Sequence, residues 1–113
     1  MKLPLDTATI EVFGKLCKYG LKQQFEEKLF EMFYRSALES LIIKLHKAST
    51  RILKALPLHK PKKNKLRTAT VDFTPAEALN FKWTLEFYNA ERPSSYEYAL
   101  SEKYFSQPLN QIL

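Results

Sequence analysis

The chain is predicted to be mainly α-helical: a small helical domain with a bent or broken long helix, a basic linker and one short strand or hairpin. Three observations predict this. Only two glycines, Gly14 and Gly20, occur in 113 residues, too few for the tight turns of an all-β sandwich or barrel. Residues 21 to 56 contain neither Pro nor Gly and are rich in strong helix formers. Apolar residues make up 45% of the chain and aromatics 13%, enough to bury a core and opposed to global disorder. The alternative is an α+β chain with strands near 66–73 and 80–88.

Taken in order, Asp6 is the expected N-cap of a first helix. Ile10, Phe13 and Cys17 form its apolar stripe, and Gly20 is a C-terminal stop or a kink. The Pro- and Gly-free run that follows would be about 54 Å long as one straight helix. Its apolar residues change sides. At 100° per residue, Leu21, Phe25, Leu29, Met32 and Phe33 share one side, and Leu38, Leu41, Leu45, Ile52 and Leu56 lie roughly opposite. This predicts a break or bend near residues 35–40, with Ser36 or Ser40 capping the restart, or a helix buried on different sides at its two ends.

Pro57 ends the helical block. Residues 57 to 65 read as an extended basic linker, since Pro fixes the backbone and like charges repel. From Leu66 to Phe73 the chain alternates, with Ala69, Val71 and Phe73 on one face, as a short strand does. Thr74-Pro75-Ala76-Glu77 is a capping box that opens a helix toward Glu91. That helix is apolar on two sides, with Leu79, Trp83 and Phe87 on one and Phe81, Leu85 and Tyr88 on the other. Strand alternation over 81–87 is the competing reading. Arg92-Pro93 makes a turn, and Ser94 with Glu97 is a second capping box for a last helix to about Ser106. The units are a helical block over 1–56, a basic linker over 57–67 and a strand/helix-helix block over 68–113, together one compact domain.

Function is sought in the charge. Between Ser40 and Val71 there is no Asp or Glu, yet nine of the eighteen bases fall there. The other nine and all twelve acids lie outside, leaving the remainder of the chain net −3 within a total of +6. Lys44, Lys47, Arg51 and Lys54 are spaced 3, 4 and 3, which places them within about 80° of arc on a helix. Lys60, Lys62, Lys63, Lys65 and Arg67 follow in the linker. A concentrated, acid-poor positive field is suited to a phosphate backbone, DNA or RNA, because each contact releases condensed counterions. The plain alternative is a solvated face that serves solubility. An anionic membrane surface fits less well, because the Leu41–Leu56 helix is needed for the core.

The remaining chemistry is sparse. Cys17 is the lone cysteine, so no internal disulfide forms and a multi-thiolate zinc site is excluded. His46 and His59 have no third ligand at a useful spacing, and Glu26, Glu27 and Glu31 have no histidine near them in sequence. No glycine-rich phosphate loop or nucleophile elbow occurs. The expectation is a protein without catalysis or cofactor. No signal-peptide or membrane-span pattern is seen, so a cytoplasmic location is expected. Trp83, Phe87 and Tyr88 are candidates for a homo-oligomer interface, or for the aromatic surface of a protein–protein adaptor. Tyr96, Tyr98 and Tyr104 carry the polar end that interfaces favour.

The order of basic arm, strand over 66–73, helix over 75–91 and helix over 95–106 is similar to the ribbon-helix-helix family of DNA-binding dimers. The resemblance implies paired strands from two subunits in the major groove. It implies Arg67, Thr68 and Thr70 toward DNA, and Ser94 near a phosphate. It covers about residues 60–106 and departs from the family at Arg92-Pro93, where a glycine is expected.

Overall fold

The structure is a computed structural model and describes residues 1–55 and 68–105. Its elements are β1 (Lys2–Asp6), α1 (Thr7–Leu21), α2 (Lys28–Ala55), β2 (Thr68–Asp72), α3 (Pro75–Glu91) and α4 (Tyr96–Phe105). The fold is mainly α, with one two-stranded antiparallel sheet. The linker expected over 57–67 and the tail beyond Phe105 lie outside the described residues.

The sheet joins the start of the chain to its middle. Leu3 stands opposite Val71 and Leu5 opposite Ala69, and these apolar side chains turn inward. β2 falls where alternation predicted it. β1 was not anticipated. Pro4 interrupts it, but Pro4 faces Thr70 between the Leu3–Val71 and Leu5–Ala69 pairs, where its missing N–H takes nothing from the ladder.

Asp6 caps α1 as expected, its Oδ1 accepting from Thr9 N at 2.8 Å. Ile10, Phe13 and Cys17 are buried, with Leu16 beside them. α1 ends at Leu21, one residue past the stop expected at Gly20; the φ of Gly20 is not positive, and it lies buried where α1 meets α2 and α3. The break comes after it, over residues 22–27, and Arg35 Nη1 donates to the Leu21 carbonyl to close the end of α1.

The break expected near 35–40 is absent. α2 is continuous from Lys28 to Ala55, and Ser36 and Ser40 cap nothing. The expectation failed because it assigned Leu29, Met32 and Phe33 to a buried face. They are 58%, 56% and 62% exposed. The buried face is one stripe of Tyr34, Ala37, Leu38, Leu41, Leu45, Ala48 and Ile52, at helical spacing throughout.

The Thr74 capping box forms in both directions: Thr74 Oγ1 accepts from Glu77 N at 3.2 Å, and Glu77 Oε1 accepts from Thr74 N at 2.8 Å. Residues 80–88 are therefore helix, and the strand reading is set aside. One side of α3 enters the core through Ala78, Phe81, Leu85 and Tyr88. α4 is capped one residue later than predicted. Ser95 Oγ accepts from Tyr98 N at 3.2 Å, while Ser94 adopts a left-handed φ of 60°. At the centre, Phe13 meets Phe81 at 4.8 Å, Phe105 at 6.1 Å and Phe73 at 6.2 Å, so α1, α3, α4 and the end of β2 share one aromatic core.

Candidate nucleic-acid interface

The basic residues of α2 face two ways. Because Leu3–Val71 and Leu5–Ala69 carry the β1–β2 ladder, the carbonyls of Thr70 and Asp72 point to the opposite edge of β2. α2 lies along that edge. Arg51 Nη2 donates to Thr70 O at 2.9 Å, and Lys44 Nζ donates to Asp72 O at 2.8 Å. Two of the predicted phosphate contacts thus also hold the sheet to the helix. Lys44 is bound further by Glu77 Oε1 at 2.6 Å, and Ser40 donates to the second oxygen of that carboxylate at 2.8 Å.

Glu77 is buried, and burial pushes its carboxyl toward the neutral form. Hydrogen bonds from Lys44, Thr74 and Ser40, together with the Lys44 charge, outweigh burial and hold it below the ordinary carboxylate range. Lys44 is therefore largely neutralised inside the fold. Lys47 and Lys54 are exposed and make no ion pair among the described residues.

Between α2 and β2 lies an open cavity of about 730 Å³. Its wall brings Lys44, Lys47, Arg51 and Lys54 together with His46, Thr50 and Thr70, and Asp72 is the one carboxylate in it. The four α2 cations predicted from their spacing are thus gathered on one site. Lys60, Lys62, Lys63, Lys65 and Arg67 lie outside the described residues, in the sequence that joins the end of α2 to the start of β2.

A second basic surface escaped the sequence reading. Lys15 and Lys18 of α1 and Lys22 just past its end, with Glu11, Arg92 and His46, rim a cavity of about 630 Å³ whose floor includes Ile10, Gly14, Ile42 and Leu45. Lys15 is taken up by Glu97 at 2.6 Å, and this bond draws the Glu97 carboxyl down to about 2. The 3 and 4 spacing of these lysines was visible, but the acids elsewhere in that block masked it. His46 lines both cavities.

Trp83, Phe87 and Tyr88 are placed by the fold itself. Tyr88 is buried, with its hydroxyl donating to Glu97 at 3.1 Å. Trp83 packs on Phe30 at 5.3 Å, and Phe87 on Phe25 at 5.9 Å. Tyr88 is thus taken up by the core, while Leu79, Trp83 and Phe87 keep the other apolar side of α3 partly exposed. Cys17 is fully buried, and burial pushes its thiol well above the ordinary range. Among the described residues no group of three His, Cys, Asp or Glu side chains could hold a metal ion, and no helix is long and apolar enough to cross a membrane.

Thr68 and Thr70 do project outward from β2. Both edges of that strand are nonetheless engaged within the chain, one by β1 and the other by Arg51 and Lys44. The strand-to-strand dimer of the ribbon-helix-helix family needs one of those edges open. Comparison of the chain with protein-family models, with curated proteins and with solved structures gives no match.

Proposed function

We propose that this protein is a non-enzymatic nucleic-acid-binding accessory protein that contacts phosphates through the α2–β2 flank and the basic sequence between Ala55 and Thr68. One observation supports the reading above others. Lys47, Arg51 and Lys54 line a single open cavity together with Lys44, whose charge Glu77 takes up, and five more bases occur in the chain segment that joins its two walls. Arg51 is held by a backbone carbonyl, so its positive end is positioned before any ligand arrives, while Lys47 and Lys54 make no ion pair among the described residues and can take phosphate oxygens. Contacts of this kind give affinity with little base preference. A cytoplasmic setting goes with this reading.

The test is the salt dependence of binding to duplex DNA and to single-stranded RNA. The wild-type chain should lose affinity steeply as salt rises. Replacing both Lys47 and Lys54 by Ala removes two phosphate contacts and should lower the log–log slope on duplex by about 2. Among the described residues neither lysine makes an ion pair or hydrogen bond, so the helical circular dichroism should not change. Absence of binding at low salt, or an unchanged slope in the double variant, rules the interface out.

A further inference from the structure

Gly14 stands in the interior of α1, where glycine weakens a helix, yet a Cβ there would meet nothing within 4 Å. Among the described residues no neighbour requires a glycine at this position. Its missing side chain instead leaves open space on the floor of the cavity of about 630 Å³ between α1 and α2. Around it that floor is apolar, formed by Ile10, Ile42 and Leu45. Sites for small molecules are clefts of about 300–1,000 Å³ with apolar floors and a few placed polar groups, and this cavity has both properties.

The charges on its wall indicate the kind of molecule. Lys15 is already taken up by Glu97. Arg92 lies over the Tyr88 ring at 5.4 Å, within the field of Glu91 and Glu97. Lys18 and Lys22 are exposed and make no ion pair among the described residues, so they are the cations open to a ligand. Glu11 is the one carboxylate on the wall among the described residues. These charges are ordered along the groove. Glu11 precedes Gly14 by about one turn, while Lys18 follows it by about one turn and Lys22 by about two. Acid and bases therefore flank opposite ends of the opening at Gly14.

We propose that this groove binds a small anion with an apolar body. The body lies over Gly14 among Ile10, Ile42 and Leu45, and a carboxylate or phosphate head points toward Lys18 and Lys22. A ligand turned end for end would bring its head to Glu11, so the charge order sets one direction of binding. The site shares no lysine or arginine with the α2–β2 cavity. It stands or falls apart from the nucleic-acid reading.

The experiment uses the full chain and the dye anilinonaphthalene sulfonate, an aromatic anion that brightens in apolar surroundings. Binding should be saturable at one dye per chain. Naphthoate or naphthyl phosphate should displace the dye, and the more effective of the two identifies the head group; neutral naphthylmethanol should not displace it. Gly14→Leu fills the opening and should weaken dye binding by about tenfold or more. Lys18→Ala combined with Lys22→Ala should weaken it by about three- to tenfold with unchanged helical circular dichroism, and decides the matter if Gly14→Leu disturbs the fold. Lys47→Ala combined with Lys54→Ala should leave it unchanged. Absence of saturable binding overturns the inference. So does displacement by naphthylmethanol as effective as by the anions, or binding that survives both the folded Gly14→Leu chain and the Lys18 and Lys22 double variant.

Discussion

Gly20 and Gly14 lie on the same helix and meet opposite surroundings. A Cβ on Gly20 would stand 2.6 Å from Leu38 Cδ1, 2.8 Å from the Tyr34 hydroxyl and 3.0 Å from Thr84 Cγ2. None of these atoms moves cheaply. Leu38 and Thr84 are fully buried, and the Tyr34 hydroxyl is tied to Thr84 Oγ1 at 2.5 Å. Overpacking such a site costs about 1–3 kcal/mol, more than the roughly 1 kcal/mol that Ala gains over Gly inside a helix. A Cβ on Gly14 meets nothing within 4 Å. Gly20→Ala should therefore lower the urea midpoint, and Gly14→Ala should raise it by the propensity gain alone, with m unchanged in both. Equal shifts of the same sign would show that α1 does not approach α2 and α3 this closely. Only a packed structure distinguishes the two glycines. In sequence each is an interruption of the same helical pattern.

Elements are joined at Glu77, which completes the α3 capping box and also receives Lys44 and Ser40 from α2. Its carboxyl is held below the ordinary range when folded, so its contribution is complete above the unfolded value of about 4.3 and is lost as pH falls through the folded value. Glu77→Gln should cost about 1–3 kcal/mol at pH 7. The gap to wild type should close progressively below about pH 4, as the native carboxylate is itself protonated; a gap independent of pH would mean that the charge plays no part. The capping box was legible because all of its parts lie within four residues. The extent of α2 was not, since periodicity reports which residues are apolar and cannot report that Leu29, Met32 and Phe33 stay in water. The candidate site was half legible for a related reason. Spacing placed Lys44, Lys47, Arg51 and Lys54 on one face, but the bonds that commit Lys44 and Arg51 to Glu77 and the β2 carbonyls reach across 19 to 33 residues.

At the scale of the molecule, the blocks read from composition do not fold apart. β1 from the first block is the sheet partner of β2 in the second. Leu5, Phe13, Leu41, Phe73, Phe81 and Phe105, drawn from both sides of the basic sequence, belong to one continuous buried cluster. β1 was illegible because its partner lies more than sixty residues away and Pro4 weakens its local pattern. The pairing has a thermodynamic consequence. If α1 and α2 owed their burial only to each other, the chain would melt in two steps. Instead α1 packs on α3 and α4 through the Phe13 cluster, and Gly20 seats α1 against both Leu38 of α2 and Thr84 of α3. Neither block can keep its apolar surface buried once the other unfolds. A single two-state transition is therefore expected. Trp83, half-buried on α3 against Phe30 of α2, reports the joint between the blocks by fluorescence, and far-UV circular dichroism reports all four helices. The two urea curves should superimpose in midpoint and slope. A fluorescence transition that precedes loss of helix would separate the blocks and contradict the shared core.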